Sequence, residues 1–335
     1  MKRLRLVIAA VLVIAVVGLA RVFAGGTSPR PVSRLAADKW SHREIASIVY
    51  LTAGGLPAGT MQALSAMRAT EVYLYVAYYS DAYYNIPQNP DGLVEPADAL
   101  TGAIRALHQK GIRVIAVISS ALLDHSATPP AAHRLLETPQ RSVIAPLQGT
   151  PLVLGLVKAL LKYPVDGIYV GEPFWISGVP EPAQEQAAFS TLYRRIIALD
   201  RKAGVPTYMV LPDTMVSPTG QNNSGLPAGF DALPFTTIGF DGEDAWDSPN
   251  IQQNERYYAL LLRRLQADSL GRPTTMEIDL EKPYRDGYIP LQFLRYEVEA
   301  AKRQGVGTLL VFANEFWAHS PYKAQYGSIF ASFLK

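Results

Sequence analysis

Apolar runs of five to nine residues alternate with amphipathic stretches from Ile48 to the end of the chain. The runs are rich in Val, Ile, Tyr, Thr and Leu, the composition of strands. Continuous apolar character is typical of parallel strands that are covered on both faces. We predict eight strands, at residues 48–53, 71–79, 112–119, 165–171, 206–211, 235–240, 274–280 and 307–313.

The stretches between these strands carry apolar residues at helical spacing, such as Leu100, Ile104 and Leu107. Three junctions share a basic residue, a glycine and then a strand start, which is typical of a helix end that leads into a strand. They are Lys110-Gly111-Ile112, Lys202-Ala203-Gly204-Val205 and Arg303-Gln304-Gly305-Val306.

Eight strand–helix alternations without a clear break predict a single (β/α)8 TIM barrel over residues 45–335. A doubly wound open sheet is the alternative. The number of strands disfavours it, and so does the lack of a Gly-x-Gly-x-x-Gly sequence after the first strand.

The N-terminus has the pattern of a targeting segment. Basic residues within 1–5 precede an uncharged apolar run at 6–20, and Arg21 ends that run. Val22-Phe23-Ala24 would suit a cleavage site, so residues 1–24 are a signal peptide or an uncleaved membrane anchor. Residues 25–44 read as a linker. We therefore expect an extracytoplasmic protein that is secreted or membrane-anchored.

Composition excludes several classes of function. The net charge of +2 is too small for a nucleic-acid partner, and the chain has no cysteine for disulfides, thiolate metal sites or nucleophiles. The five histidines do not cluster, and there is neither a His-Glu-x-x-His nor a Gly-x-Ser-x-Gly motif. We expect no metal and no cofactor.

Carboxylates mark the ends of two predicted strands. Strand four ends at Glu172, and along strand seven Glu277, Asp279 and Glu281 alternate with apolar residues. Because the apolar face of a barrel strand packs on the helices, we expect these three acids to point to the barrel axis. Barrel enzymes keep catalytic groups at the C-terminal strand ends. A carboxylate pair there suits glycosidic bond cleavage, with retention at a separation of about 5 Å and inversion at about 6.5–9.5 Å.

The segment Gly171-Glu172-Pro173 resembles the clan A glycoside hydrolases, barrels whose acid/base Glu ends strand four in an Asn-Glu-Pro motif and whose nucleophile Glu ends strand seven. The resemblance implies that Glu172 is the general acid/base and Glu281 the nucleophile or general base, with Asp279 as the alternative. Gly171 replaces the Asn that holds the sugar 2-hydroxyl in that family, so retention and inversion both stay open. Asp166-Gly167 is also similar to the opening of strand four in uncharacterised glycosidase-like barrels.

Aromatic and polar residues follow the same strand ends. Trp175, Trp246 and Trp317 come after strands four, six and eight, and tyrosine and tryptophan rings suit the faces of sugars. We expect the three indoles to be partly exposed around one cleft that contains Glu172. The predicted substrate-binding set is Tyr79, Trp175, Asp241, Trp246, Asn314, Glu315 and Trp317.

These observations predict a glycoside hydrolase that cleaves an extracellular or cell-envelope polysaccharide by paired-carboxylate catalysis. The alternative is a catalytically silent barrel that binds a polysaccharide. Gly171 in place of Asn favours that alternative.

Overall fold

Eight parallel strands close into a barrel in the computed structural model, which describes residues 43–52, 54–77, 97–119, 145–171, 183–211, 230, 232–242, 250–282, 285–312 and 320–335. The barrel strands are β1 (Glu44–Tyr50), β2 (Glu71–Ala77), β3 (Arg113–Ser119), β4 (Gly167–Gly171), β5 (Thr207–Leu211), β6 (Thr237–Phe240), β7 (Thr274–Asp279) and β10 (Thr308–Phe312). Two short strands, β8 (Glu281–Lys282) and β9 (Arg285–Tyr288), lie between β7 and β10 in the sequence. Around the barrel the order is β1-β10-β7-β6-β5-β4-β3-β2, while β8 and β9 form a separate antiparallel hairpin.

The predicted (β/α)8 barrel is confirmed, and each predicted strand overlaps an observed one. The predicted first strand begins too late, because the strand runs over Glu44–Tyr50 instead of 48–53. Glu44 starts this strand although it is charged, because its carboxylate pairs with Arg113 at the start of β3. An apolar pattern does not reveal a strand that begins with a paired charge.

The outer layer consists of helices that pack on the barrel. In the described part of the chain they are α1 (Thr60–Met67), α2 (Ala97–Gln109), α3 (Ala145–Leu160), α4 (Ala183–Ala203), α5 (Ile251–Asp268), α6 (Leu291–Arg303) and α7 (Lys323–Phe333). At the three predicted helix ends Gly111, Gly204 and Gly305 adopt φ values of 72°, 74° and 74°, the left-handed conformation expected there.

The N-terminal targeting segment, 1–24, lies outside the described residues, as does the linker up to residue 42. Within the described residues, none of the helices combines the length and the apolarity needed to cross a membrane.

Tyrosine rings fill the barrel interior. The Tyr73 ring on β2 lies 5.9 Å, centroid to centroid, from the rings of Tyr169 on β4 and Tyr208 on β5. Because β2 is not adjacent to β4 or β5, these rings meet inside the barrel. Gly167 on β4 leaves room for them, since a Cβ there would lie 2.5 Å from the Tyr208 ring.

A charged cluster closes the N-terminal end of the barrel. Arg113 pairs with Glu44 and, at 2.9 Å, with Glu71, and each of these residues is the first of its strand. Burial raises the pKa of Glu71 to about 7, although the Arg113 guanidinium opposes this rise. In (β/α)8 barrels, residues at the N-terminal end stabilise the fold, whereas the catalytic groups lie at the C-terminal end.

A second buried acid, Glu297 on α6, makes stability depend on pH. Burial raises its pKa well above the usual 4.5, so the folded protein keeps a proton that the unfolded chain loses. Its contribution to stability is complete below about pH 4.5 and is lost as the pH rises towards its folded pKa.

Glutamine cannot ionise. We therefore expect the melting temperature of Glu297→Gln to equal that of wild type at pH 4 and to lie about 3 °C above it at pH 8. Thermal unfolding followed by circular dichroism at pH 4, 6 and 8 measures this difference. Glu299→Gln, at a partly exposed position on the same helix, is the matched control and should show no such trend. A Glu297→Gln protein that is less stable than wild type at every pH would contradict the prediction.

Candidate active site

The carboxylate of Asp279 lies at the C-terminal end of β7 and faces the barrel interior. On β6, a Cβ at Gly239 would lie 2.9 Å from the Thr275 Cβ and 3.2 Å from a Val210 methyl group. Val210 is on the same face of β5 as Tyr208, whose ring lies inside the barrel. Thr275 therefore points inward, and alternation places Glu277 and Asp279 on the same face. Asp279 is only 2 % exposed. The intervening apolar residues are buried on the opposite face, as predicted: Met276, Ile278 and Leu280.

Glu281 does not continue this strand. The barrel strand ends at Asp279, and Glu281 pairs with Tyr288 in the β8–β9 hairpin. The buried Leu280 between them accepts a hydrogen bond from the Ile289 backbone at 3.0 Å, which turns the chain into the hairpin. Glu277 and Asp279 therefore share one face of the barrel strand, as expected. Because the strand ends before Glu281, its alternation does not extend to that residue.

Three aromatic rings lie at the C-terminal end of the barrel, which we call the mouth. We call these residues the aromatic shelf: Tyr50, Tyr75 and Phe312. Tyr50 stacks on Tyr75 at 4.5 Å, and its ring meets Phe312 edge to face at 6.5 Å. Tyr50 and Phe312 are the last residues of β1 and β10, and both are half-buried. The register pairs Phe312 with Asp279, so the shelf borders the carboxylate.

Sequence reasoning missed Tyr50 and Phe312 as site residues. The available signal is an aromatic residue at the last position of a strand, but a first strand placed at 48–53 does not show it. Asp241, which was predicted, lies directly after β6, and its backbone N–H donates to the Leu211 carbonyl at 2.8 Å. This bond holds Asp241 at the C-terminal rim beside β5.

Gly171 ends β4 where the clan A barrels carry Asn. A Cβ at this position would lie 3.1–3.3 Å from three atoms of the Tyr169 ring, tighter than ordinary contact. The Tyr169 ring therefore occupies the space where an Asn side chain would begin. A side chain at this position would therefore need the Tyr169 side chain to shift by a few tenths of an ångström.

The other predicted site residues lie outside the described part of the chain: Glu172, Tyr79, Trp175, Trp246, Asn314, Glu315 and Trp317. Of the predicted residues that the structure describes, Asp279 and Asp241 come to the C-terminal mouth, and for Glu281 only the backbone is described. Among described residues no group of three or more His, Asp or Glu side chains could hold a metal ion.

Solved structures with a similar fold include several glycoside hydrolases. The PgaB (BpsB) glycoside hydrolase domain from Bordetella bronchiseptica aligns with a TM-score of 0.63 and 13% identity, over 86% of this chain and 99% of that one. A family 5 xyloglucanase from Paenibacillus pabuli aligns with a TM-score of 0.55 and 12% identity, over 88% and 99%. A GH18 chitinase from Pseudoalteromonas aurantia aligns with a TM-score of 0.51 and 14% identity, over 86% and 99%.

No protein-family model matches the chain, and no curated protein matches it in sequence. At identities this low, the likeness concerns the fold. The chain therefore has a glycoside hydrolase-like (β/α)8 barrel.

Proposed function

We propose that this protein is a secreted or membrane-anchored glycoside hydrolase that acts on a polysaccharide. Glu172 is its general acid/base, and Glu281 is the nucleophile or general base, with Asp279 as the alternative. The observation that carries the proposal is the inward carboxylate of Asp279 beside the aromatic shelf, at the C-terminal mouth of the barrel.

The topology supports two carboxylates on opposite sides of a bound sugar. Glu172 directly follows the last residue of β4, and Asp279 ends β7. β5 and β6 lie between these two strands around the barrel, so their ends flank the mouth. One protonated carboxyl group can then donate to the leaving oxygen while the other carboxylate attacks the sugar or activates a water molecule.

The shelf supports a carbohydrate ligand. Tyr50 and Phe312 are only partly buried, although full burial of such a side chain is worth about 1.5–3 kcal/mol. Flat rings of this kind stack on the apolar face of a sugar. In this proposal Tyr79, Trp175, Trp246 and Trp317 add further stacking surfaces, and Asp241, Asn314 and Glu315 bind hydroxyl groups.

A catalytically silent, polysaccharide-binding barrel is the second candidate. Gly171 favours it, because no side chain stands next to Glu172 to hold a sugar hydroxyl in the way that clan A barrels use Asn. The shelf would serve such a binding protein equally well.

The experiment that tests both candidates presents the full-length chain with chitin oligosaccharides, xyloglucan and cellulose. Released oligosaccharides are measured by mass spectrometry, and binding is measured by calorimetry and by intrinsic tryptophan fluorescence. Release from at least one polymer supports the hydrolase. Binding without release supports the silent barrel, and the absence of both from all three polymers would count against each candidate.

Removal of one shelf ring should weaken binding without unfolding the barrel. We expect Phe312→Leu to raise the Kd for the bound oligosaccharide about 10-fold, because leucine keeps apolar volume but lacks a flat face. Phe293→Leu is the matched control, since Phe293 is buried on α6 in the helix layer. The control should lower the melting temperature and leave the Kd unchanged. Equal Kd values for wild type and Phe312→Leu would show that the aromatic shelf is not part of the binding site.

A further inference from the structure

The C-terminal end of β4 is paired differently on its two sides. Against β3 the pairing runs to the last residue, Gly171. Against β5 it stops at Tyr169, which lies opposite Tyr208. In the part that the structure describes, Val170 and Gly171 thus lack a register partner on β5, although they lead directly into Glu172.

Two tyrosine hydroxyls bond to the backbone where this ladder stops. The Tyr193 hydroxyl, from α4, donates to the Val170 carbonyl at 2.9 Å. The Tyr169 hydroxyl donates across to the Val210 carbonyl on β5 at 3.0 Å. Because a buried carbonyl without a hydrogen-bond partner destabilises the fold, these bonds replace part of the missing ladder. We call Tyr169 and Tyr193 the tyrosine clamp.

Both tyrosines of the clamp are held firmly. Tyr193 is fully buried, and its ring meets the edges of Phe230 at 5.2 Å and Phe235 at 5.9 Å. Burial raises the pKa of Tyr193 well above its usual range, so its hydroxyl remains a donor. The Tyr169 ring is packed between the edge of Tyr73 and the backbone of Gly171. Both rings are buried, with Tyr169 4 % exposed and Tyr193 0 % exposed.

We propose that Tyr169 and Tyr193 are positioning residues, which act on turnover by holding the C-terminal end of β4, the strand that leads directly into Glu172 in the sequence. The inference rests on the proposed function, in which Glu172 is the general acid/base. A catalytic group that is displaced by about 1 Å can lose roughly 100-fold in rate, so a clamp one or two residues away has a direct effect on turnover. Gly171 belongs to the same group, because a Cβ there would lie 3.1–3.3 Å from Tyr169 side-chain atoms and would require them to shift by a few tenths of an ångström.

Hydrogen exchange tests the clamp without any substrate. Tyr169→Phe and Tyr193→Phe each remove one hydroxyl and keep the ring. In the full-length protein we expect either change to speed amide exchange at residues 170–172 about 10-fold, measured by mass spectrometry. Tyr258→Phe is the matched control, because Tyr258 is a fully buried tyrosine on α5 and should leave this segment unchanged. Unchanged exchange in both clamp variants would overturn the inference.

Kinetics separate positioning from a merely structural role. On the polymer that wild type hydrolyses fastest, each clamp variant should lower kcat about 10-fold with KM within about twofold, since binding is retained while the acid is misplaced. The kcat–pH profile should shift on the limb that reports Glu172, whereas Tyr258→Phe should keep the wild-type profile.

The outcomes distinguish this inference from the proposed function. If Glu172→Gln is inactive but both clamp variants keep wild-type kcat, the positioning role is wrong and the hydrolase proposal stands. If Glu172→Gln remains active, the catalytic assignment of Glu172 is wrong, and the clamp then has no role in catalysis through that residue. Faster exchange would then support only the hold on the strand end.

Discussion

Glu172→Gln is expected to lower kcat/KM about 1,000-fold or more on the polysaccharide that wild type cleaves. A glutamine side chain keeps the shape of glutamate but neither donates nor accepts the proton of the leaving oxygen. General acid–base catalysis contributes about 10²–10⁴-fold. In a retaining mechanism the same group also assists hydrolysis of the glycosyl-enzyme, so its loss lowers the rate further. Reducing-end assays at saturating and limiting substrate measure kcat and KM separately.

The second carboxylate is identified by a pair of variants. If Glu281 is the nucleophile or general base, Glu281→Gln should be as inactive as Glu172→Gln, while Asp279→Asn keeps measurable turnover. The reverse order would assign the role to Asp279, which ends the barrel strand. Azide rescue of the alanine variant at the position so identified would show a nucleophile, because azide can then attack the anomeric carbon in place of the carboxylate. The leaving group departs and a glycosyl azide of inverted configuration forms.

Glu299→Gln is the control for these changes, because it makes the same substitution on the outer helix α6. Wild-type circular dichroism and melting temperature for each variant show that the fold is intact. If Glu172→Gln and Glu281→Gln both hydrolyse the substrate normally, the paired-carboxylate assignment is wrong.

Gly239→Ala is expected to lower the free energy of unfolding by about 1–3 kcal/mol, the usual cost of overpacking a filled core. A Cβ at Gly239 would lie 2.8 Å from the Thr275 backbone carbonyl and 2.9 Å from its Cβ. A backbone atom of the neighbouring strand cannot move away as the end of a flexible side chain can. The barrel would have to widen between β6 and β7.

Gly102→Ala provides the opposite result from the same chemical change. Gly102 lies in α2, and among the described residues no atom beyond its chain neighbours and the backbone of its own helix lies within 4 Å of a Cβ placed there. The alanine should therefore stabilise the protein by up to about 1 kcal/mol, through its higher helix propensity. Urea unfolding followed by circular dichroism compares the two variants. A Gly239→Ala protein as stable as Gly102→Ala would show that the interior has more room than the packing indicates.

The barrel itself was readable from the chain, because local patterns define its parts. A parallel strand covered on both faces must be apolar throughout, and a helix that ends on a left-handed residue favours glycine, as at Gly111, Gly204 and Gly305. Alternation along β7 also allowed the inward direction of Asp279 to be predicted before its surroundings were known. Each of these inferences depends on neighbours within one turn or one strand.

The composition of the mouth depended on closure of the barrel. Tyr50 and Phe312 meet only because β1 pairs with β10, which joins the first and the last strand of the barrel. The turn after Asp279 into the β8–β9 hairpin could not be read from alternation, since Glu281 and Asp279 have the same spacing whether the strand continues or ends. The clamp was equally hidden, because the Tyr193 hydroxyl reaches Val170 from a helix on the outer face.

The sequence by itself therefore determined the barrel strands to within a few residues, the helix ends and the inward face of β7, since each of these features follows from local patterns along one element. Only the tertiary structure decided which aromatic rings gather at the strand end that carries Asp279, where the barrel strand stops before Glu281, and how closely the Tyr169 side chain packs on Gly171. These features arise from groups that meet across strands far apart in the chain, such as the Tyr169 hydroxyl on β4 and the Val210 carbonyl on β5.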